Sequence, residues 1–300
     1  MFDTIAIGNV TEDIILNLKK NGQIIKTRTF GGASTYSSFC LRNLNARVGI
    51  VSKISKDFPH LKKFDGIDLT GLKFAEETTT FELTYDERED YYKPREIKIL
   101  KDAGKIEIKG VPKEYYNTKS VIFGPIFSEI KPQMISKFDG VVKAIDLQGL
   151  LRKRNENSRV KNCVLENLDE FLSVDIVKIG ESELKVLGNS CTKVSESLAP
   201  YSPKAILITF GERGSLVYDP STLRWNRIPA FKTRAVDETG SGDVYLSSFL
   251  YQYMKTNDVI ESSCFASAAA SFVVEAPGPE KFGSLDEIEE RMKRIRREIR

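Results

Sequence analysis

Short apolar runs that end in glycine or an acidic residue alternate with helix-like segments along most of this chain. The first run is Thr4-Ile5-Ala6-Ile7-Gly8, and later runs lie at 120–124, 141–147, 175–180 and 204–211. Runs of this length are typical of strands that are buried on both faces of a parallel sheet. Because helical segments separate them, the pattern predicts an α/β fold with a doubly wound, mostly parallel sheet.

Two other stretches alternate in the manner of half-buried strands and predict a second, smaller sheet. Residues 14–18 and 23–30 flank Lys20-Asn21-Gly22, and Asn-Gly is a strong hairpin signal. Residues 78–85 are rich in β-formers, and 95–100 follow a charged turn. We interpret these strands, at about 14–30 and 74–100, as a lid inserted into a single domain that spans 1–300. A surface hairpin without a role is the alternative.

Glycines precede an amphipathic segment near the C-terminus. Gly240, Ser241 and Gly242 stand directly before 244–254, where apolar residues recur at helical spacing. The glycines are therefore expected at a helix N-terminus, where unpaired amides bind anions. Asp243 falls in the first turn of that helix, beside any bound anion. An anion site next to a carboxylate base suits phosphoryl transfer, whereas a plain turn with a helix cap is the alternative.

Composition narrows the class of protein without identifying a reaction. The 300 residues are 41% hydrophobic and 29% charged, with a formal net charge of +3, as in an ordinary globular protein. This charge is too small to indicate a nucleic-acid partner, and no apolar run is long enough to cross a membrane. Four scattered cysteines and a lone histidine, His60, which we expect at the surface, make a zinc site improbable. We expect a cytoplasmic protein.

Polar residues follow the first predicted strand. Asn9 and Asp13 could hydrogen-bond the neighbouring hydroxyls of a polyol, because one carboxylate accepts from two donors. A turn with a solvent-facing aspartate is the alternative. Gly31-Gly32 then opens a helix from about Ser34 to Asn45.

The segment Asp237-Glu238-Thr239-Gly240-Ser241-Gly242-Asp243 resembles the C-terminal signature of the ribokinase-like (PfkB-type) sugar kinases, commonly Asp-Thr-x-Gly-Ala-Gly-Asp. Further segments resemble that family in the family's order, at 8–13, 31–32, 180–183 and 209–214. The resemblance implies an ATP-dependent kinase that phosphorylates a hydroxyl of a small sugar or polyol. It also implies Mg²⁺, and it leaves open a monovalent cation and a homodimer formed through the lid.

The resemblance also implies roles for individual residues. Asp243 would accept the proton of the attacking hydroxyl, while the amides of Gly240, Ser241 and Gly242 hold the transferred group. Glu183 would organise magnesium. The residues expected around the acceptor are Asn9, Asp13, Gly31, Gly32, Tyr36, Gln148 and Arg152. The residues expected around the nucleotide are Thr209, Gly211, Gly214, Thr239 and Ala268.

Two departures from the family pattern leave the acceptor open. Tyr36 stands where the family usually has asparagine, and Gly180 replaces the asparagine of an Asn-x-x-Glu motif. The segment from Asp146 to Arg152 resembles Asp-x-Gln-Gly/Ala-x-x-Arg of inositol-kinase-type members. The alternatives are a nucleoside kinase, a non-catalytic sugar or nucleotide sensor, and a kinase for a phosphorylated sugar. The last would need basic residues such as Lys93, Arg95 or Arg152 facing the substrate.

Overall fold

The computed structural model describes residues 1–86 and 96–299. The strands are β1 (Phe2–Ile7), β2 (Thr11–Leu18), β3 (Ile24–Gly31), β4 (Val48–Ser55), β5 (Asp68–Ala75), β6 (Thr79–Asp86), β7 (Glu96–Lys101), β8 (Thr118–Phe123), β9 (Val142–Asp146), β10 (Arg152–Arg154), β11 (Val160–Asn162), β12 (Ile176–Gly180), β13 (Ala205–Thr209), β14 (Ser215–Asp219) and β15 (Arg224–Ile228). The helices are α1 (Ala33–Asn43), α2 (Pro132–Ile135), α3 (Glu181–Val186), α4 (Cys191–Leu198), α5 (Ser241–Thr256), α6 (Val259–Val273) and α7 (Leu285–Ile299).

A nine-stranded sheet forms the centre of the molecule, in the order β15-β14-β13-β12-β9-β8-β1-β4-β5. The strands from β13 to β5 are parallel to their neighbours, and β14 and β15 add an antiparallel edge. Alternate residues of β13 face opposite sides: Ala205 and Leu207 pack with α1, α5, α6 and α7, while Ile206 and Ile208 pack with the layer that contains α2, α3 and α4. The predicted doubly wound, mostly parallel sheet is confirmed.

A separate four-stranded sheet has the order β3-β2-β6-β7. The hairpin between β2 and β3 is the predicted one, and Asn21 Oδ1 in its turn accepts from the Gln23 amide at 3.0 Å. The predicted boundary at residue 74 is wrong, because Phe74 and Ala75 pair with β4 in the large sheet. The charged turn between β6 and β7, with Lys93 and Arg95, lies outside the described residues.

Apolar side chains join the small sheet to the body of the molecule. Phe81, Leu83 and Ile99 pack against Ala33 of α1 and Ile126 of the loop after β8. The hairpin of β10 and β11 continues the edge of the small sheet, since the Ile99 amide donates to the Ser158 carbonyl at 3.0 Å. The small sheet therefore packs on α1 and on the loop that follows β8, as expected for a lid.

His60 is not the surface residue that the sequence predicts. Its ring is half-buried and stacks on Phe30, with 4.6 Å between the ring centroids. Three of the four cysteines lie in helices, as expected, and all four are unpaired thiols. Across residues 1–86 and 96–299, no helix combines the length and apolar character that a membrane span requires.

Candidate active site

A buried ion pair lies at the carboxyl ends of two neighbouring strands. Asp146 ends β9, and Lys178 lies opposite it in β12. The Lys178 ammonium donates to Asp146 Oδ2 at 2.6 Å, and each side chain is only 4% exposed. A Cβ atom at Gly242 would lie 2.5 Å from Lys178 Nζ. The N-terminal turn of α5 therefore rests directly on this ammonium group, and a side chain at position 242 would displace it.

Asp243 lies in the first turn of α5, half-buried beside that ion pair. Burial and the negative charge of Asp146 raise the pKa of the Asp243 carboxyl to about 7, against the opposing charges of Lys178 and Arg152. A carboxyl group with this pKa exchanges a proton readily near neutral pH. Of the predicted catalytic residues, Asp243 thus has the electrostatics that a general base needs.

Burial lowers the pKa of Lys178, but Asp146, Asp243 and Glu183 outweigh that effect, and the net pKa is raised. The ammonium therefore stays charged over the whole range in which Asp243 titrates. A fixed positive charge next to Gly242 favours an anion at this helix end.

Gly240 takes a left-handed backbone conformation, with φ of 80°, and caps α5. The ring of Tyr36 fills the space where a Cβ atom of residue 240 would lie, at 2.2 to 2.4 Å. Tyr36 is 1% exposed, so its ring supports the glycine turn from below. The ring of Tyr36 thus has a packing role, and its predicted contact with the acceptor stays a prediction.

The amides at the start of α5 only partly match the predicted anion site. The Ser241 amide donates to the Glu238 carbonyl at 3.3 Å, and its hydroxyl donates to the same oxygen at 2.8 Å, so Ser241 closes the turn. The amides of Gly240, Gly242 and Asp243 have no acceptor within the described part of the chain. These three amides, rather than the predicted set with Ser241, are available to an anion.

Asp237 holds the loop before α5 in place. Its Oδ1 accepts from the Thr239 amide at 2.9 Å, and its Oδ2 accepts from the Gly278 amide at 3.1 Å. One carboxylate thus joins the glycine turn to the loop between α6 and α7. Thr239 is half-buried beside that turn, and its predicted contact with the nucleotide stays a prediction.

Close packing explains the two glycines before α1. A Cβ atom at Gly31 would lie 2.7 Å from Asp13 Oδ2, so this glycine makes room for a buried carboxylate. Gly32 has φ of 91°, and a Cβ there would lie 2.3 Å from the Asn9 carbonyl oxygen. The protein's own Asp13 and Asn9 occupy the space that sequence reasoning reserved for the substrate. Asp13 itself lies in β2 and is 4% exposed.

Asn9 binds protein rather than open solvent. Its Nδ2 donates to the Gly104 carbonyl at 3.2 Å, and its Oδ1 accepts from the Lys53 amide at 3.2 Å. Glu129 accepts from the amides of Asn9, Ile126 and Phe127, each within 3.0 Å. The predicted acceptor contact of Asn9 is therefore replaced by a positioning role, in which Asn9 and Glu129 fix the loops around the site.

Gln148 and Arg152 lie on the segment that follows β9. The Gln148 amide donates to Asp146 Oδ1 at 3.0 Å, and its side chain is half-buried. Arg152 begins β10, donates to the Ile126 carbonyl at 3.2 Å, and lowers the pKa of Asp243 by its charge. Both residues thus adjoin the centre formed by Asp146, Lys178 and Asp243, and their contact with an acceptor stays a prediction.

Glu183 does not fit the predicted role of a magnesium ligand. Its Oε2 accepts from the Gly180 amide at 2.8 Å, and its Oε1 accepts from Ser182 at 2.7 Å and Asn162 at 3.2 Å. The side chain is 1% exposed, so both oxygens serve the N-terminus of α3. No cluster of three or more His, Cys, Asp or Glu side chains suited to a metal occurs in residues 1–86 and 96–299.

The predicted nucleotide residues have unlike surroundings. Thr209 ends β13 half-buried, and Gly211, with φ of 58°, faces open space. A Cβ atom at Gly214 would lie 2.1 Å from the Ile228 carbonyl oxygen, so Gly214 permits strand packing. Ala268 is 0% exposed in the core around α5 and α6, which corrects its predicted contact with a purine. Thr209 and Gly211 remain accessible.

Sequence reasoning missed Lys178 and Glu129. A lysine inside the apolar run Ile176-Val177-Lys178-Ile179 was a usable signal, because a charge in a strand buried on both faces requires a partner. Nothing comparable marks Glu129, whose partners are backbone amides of segments distant in sequence or of its own loop.

The family model described as pfkB family carbohydrate kinase matches residues 3–284. The chain belongs to this family. Among curated pfkB relatives, the cytidine kinase of Thermococcus kodakarensis is 28% identical over 85% of this chain and 90% of its own length. A 5-dehydro-2-deoxygluconokinase of Clostridium botulinum is 24% identical, with coverages of 91% and 87%. Inositol 3-kinase of Arabidopsis thaliana is 24% identical, with coverages of 96% and 80%.

Solved structures of the ribokinase fold superpose on nearly the whole chain. A pyrophosphate-dependent kinase in the ribokinase family has a TM-score of 0.77 at 20% identity, covering 92% of this chain and 96% of its own. Arabidopsis thaliana ribokinase, solved with ribose and ATP, has a TM-score of 0.73 at 18% identity, with coverages of 97% and 99%. These likenesses show the pfkB fold and leave the acceptor of this member open.

Proposed function

We propose that this pfkB kinase transfers the γ-phosphoryl group of ATP to a hydroxyl of a small polyhydroxylated acceptor, of the sugar or inositol type. The observation that carries the proposal is the carboxyl group of Asp243, whose pKa is raised to about 7 beside three amides without acceptors in the described chain. A base and an anion site in one helical turn are the two groups that phosphoryl transfer to an alcohol requires.

In the proposed reaction, the acceptor hydroxyl gives its proton to the Asp243 carboxylate as its oxygen bonds to the γ-phosphorus. The bond between that phosphorus and the β,γ-bridging oxygen breaks, and ADP leaves. The amides of Gly240, Gly242 and Asp243 donate to the transferring oxygens, and the nearby Lys178 ammonium offsets their charge. Magnesium enters bound to the nucleotide as part of the substrate.

The two substrates would approach from opposite sides of α5. Asp13, in β2 of the small sheet, would orient the acceptor. Thr209 and Gly211 line the donor side, where Gly211 leaves open space. In the open α/β class, ligands bind at the carboxyl ends of the strands, which supports this arrangement. A monovalent cation, a cytoplasmic location and a homodimer through the lid remain predictions.

Asp243→Asn tests the proposal in an assay of ADP release against a panel of sugars, polyols and nucleosides. Turnover should fall roughly 10²–10⁴-fold, the usual contribution of a general base, while the fold and nucleotide binding persist. Asp139→Asn is the matched control, since Asp139 is exposed and precedes the amino end of β9, whereas the site lies at the carboxyl end of that strand. Near-normal turnover in Asp243→Asn would remove the base from the mechanism. Saturable binding without ADP release from any compound would favour the sensor.

A further inference from the structure

Lys178 carries a buried ammonium group with unused hydrogen-bond donors. The residue is 3% exposed, and an ammonium group has three N–H donors. Within residues 1–86 and 96–299, Asp146 Oδ2 is its one hydrogen-bond acceptor, at 2.6 Å. A buried N–H group without an acceptor costs free energy, and buried donors in native proteins are nearly always satisfied. The two remaining donors therefore indicate a ligand that completes this group.

Lys178 lies between the sides from which the two substrates would approach. The order of the central strands is β13-β12-β9-β8-β1. Thr209, on the donor side, ends β13, and β1 leads into β2, which carries Asp13. Lys178 and Asp146 belong to β12 and β9, the strands between these two sides. A phosphoryl group that moves from donor to acceptor would thus pass over this ion pair.

The side chain of Lys178 points toward the layer that contains α5. Val177 and Ile179 pack in the layer of α2, α3 and α4, whereas Ile176 packs in the layer of α5. Because side chains alternate along a strand, Lys178 shares the face of Ile176. Its Nζ lies 2.5 Å from the Cβ position of Gly242, which has no side chain to cover it. The ammonium therefore adjoins the helical turn whose amides lack acceptors in the described chain.

A cation is needed at this turn because carboxylates surround it. Asp146, Asp243 and Glu183 all act on Lys178 by their charge, and they raise its pKa against the effect of burial. The same carboxylates would repel the negative oxygens of a phosphoryl group. The Lys178 ammonium opposes this repulsion at the place where an anion and a carboxylate base must lie side by side.

We propose that Lys178 is a catalytic residue that donates a hydrogen bond directly to an oxygen of the transferring phosphoryl group. One of its N–H groups holds Asp146, and a second one joins the amides of Gly240, Gly242 and Asp243 around the phosphoryl oxygens. Lys178 keeps its protons throughout, so the bonds that form and break are those of the proposed reaction. This inference rests on the proposed kinase function and adds a side chain to its phosphoryl site.

Binding of orthovanadate in the presence of Mg²⁺ and ADP tests the inference, because orthovanadate presents the oxygens of a phosphoryl group. Asp243→Asn serves as the parent protein, since it removes both turnover and the ionisation of residue 243. Adding Lys178→Gln should weaken orthovanadate binding roughly 10- to 10²-fold, because a charge-assisted hydrogen bond is lost. Adding Asp146→Asn should leave that binding unchanged or tighten it, because the ammonium stays and a negative charge is removed. Calorimetry should give all three proteins similar affinity for Mg²⁺ and ADP alone.

The comparison of the two substitutions separates a catalytic role from a structural one. If the ion pair only supported the fold, breaking it from either side would weaken orthovanadate binding alike and lower both melting temperatures. That outcome, or a parent protein that does not bind orthovanadate, would overturn the inference. Should Lys178→Gln fail to fold, Asp146→Asn decides alone: unchanged or tighter binding supports the inference, and a tenfold loss contradicts it.

Turnover distinguishes this inference from the kinase function. With Asp243 intact, Lys178→Gln should lower kcat roughly 10²–10³-fold and leave KM for the acceptor nearly unchanged, as expected for one lost donor to the transition state. Lys204→Gln is the matched control, since it breaks an ion pair with Asp175 at the amino ends of β12 and β13, and it should change neither constant. Normal kcat in Lys178→Gln would overturn the inference while the kinase function stands. Lys178-dependent binding of orthovanadate without ADP release from any compound would support the phosphoryl site and refute the kinase function.

Discussion

The carboxylates in this site differ in their binding partners and in their ability to exchange a proton because their neighbours differ. Asp146 is paired with Lys178, Glu183 caps α3, and Asp237 joins two loops, so each is bound to a fixed donor. Asp243 lies close to the same ammonium but has Asp146 as its neighbour, and its pKa rises to about 7. Among these four carboxyl groups, the surroundings of Asp243 thus prepare it to exchange a proton near neutral pH.

The pH dependence of turnover follows from this raised pKa. Asp243 must be ionised to accept a proton, so kcat/KM should rise with pH through about 7 and then level off. Asp146→Asn removes a negative charge that raises the pKa of Asp243, and it should move the midpoint to lower pH. A pH profile from 5 to 9 of both proteins measures this; an unshifted midpoint would show that another group controls the rate.

Folding stability should respond to the same group with the opposite sign. Because the folded-state pKa of Asp243 is raised, the native chain holds a proton between about pH 4 and 7 that the unfolded chain has lost. Native stability therefore decreases as pH rises across this window. Asp243→Asn removes this ionisation. The melting temperature of the variant minus that of the parent protein should therefore be larger at pH 8 than at pH 4.

Glu183 and Gly180 test the capping role. Glu183→Gln loses a charge-assisted bond to the Gly180 amide, worth about 1 kcal/mol, and should lower the melting temperature by roughly 2–4 °C. Gly180→Ala puts a Cβ 2.6 Å from Glu183 Oε2 and should cost a similar amount. Because both changes break one contact, their effects should not add. Gly110→Ala, where a Cβ meets only ordinary contacts, is the control.

A magnesium titration of the Glu183→Gln variant separates capping from metal binding. The concentration of Mg²⁺ for half-maximal rate should equal that of the parent protein, since both oxygens of Glu183 are bound within the fold. A several-fold increase in that concentration would restore the predicted metal role.

At the residue scale, the sequence predicted charges at strand and helix ends better than it predicted packing. Asp243 lies in the first turn of α5, as expected, because a carboxylate at a helix N-terminus is a local pattern. The contact of the Tyr36 ring with Gly240 depends on how α1 packs against α5. The hydrogen bond of the Asn9 side chain depends on the carbonyl of Gly104, which is nearly a hundred residues away. Neither contact leaves a periodic signal.

At the scale of elements, the N-terminal turn of α5 contains two glycines, and each position requires glycine for a different physical reason. Gly240 has φ of 80° and faces the Tyr36 ring, whereas Gly242 faces the movable end of Lys178. Gly240→Ala should therefore lower both the melting temperature and turnover. Gly242→Ala should displace Lys178 and lower turnover on the order of tenfold or more, with little change in melting temperature.

Gly22→Ala provides the control for backbone strain. Gly22 has φ of 83°, nearly that of Gly240, but no atom lies within 4 Å of its Cβ position. Its substitution should cost only the left-handed conformation, about 1–2 kcal/mol. Thermal melting of the variants then isolates the contact with Tyr36 as the additional loss in Gly240→Ala. Equal losses at the two positions would show that the ring moves aside freely.

Most strands were predictable because their apolar runs are local, and the Asn-Gly hairpin was placed correctly for the same reason. The end of β5 was not predicted correctly, since Phe74 and Ala75 belong to an edge strand of the large sheet whose outward residues are exposed. The parallel pairing of β2 with β6 was equally hidden, because partners more than sixty residues apart leave no mark in either segment. Local periodicity therefore identifies strands, while edges and long-range pairing require the folded chain.

At the scale of the whole molecule, the apolar clusters connect both sheets into one body. Two clusters cover the faces of the nine-stranded sheet, and a third joins Phe81, Leu83 and Ile99 of the small sheet to Ala33 and Ile126. A sheet is stable when its apolar face is packed, and Phe30 of β3 also packs with Ile50 and Ile54 of β4, so the small sheet should persist only while these shared clusters hold. The predicted single domain would then unfold in one step.

Two fluorescence reporters test this expectation at opposite ends of the molecule. Trp225 is the single tryptophan of the chain and lies on β15, at the far edge of the large sheet. A second protein with Trp225→Phe and Tyr85→Trp reports on β6 of the small sheet instead. Shared burial couples the two sheets. In each protein, the urea midpoint measured by fluorescence should therefore coincide with the midpoint measured by circular dichroism. Ile126→Ala weakens the joining cluster by about 2–5 kcal/mol and should make the small sheet lose its signal first. If the small sheet melts first without that substitution, it is an independent unit, and the single-domain prediction fails.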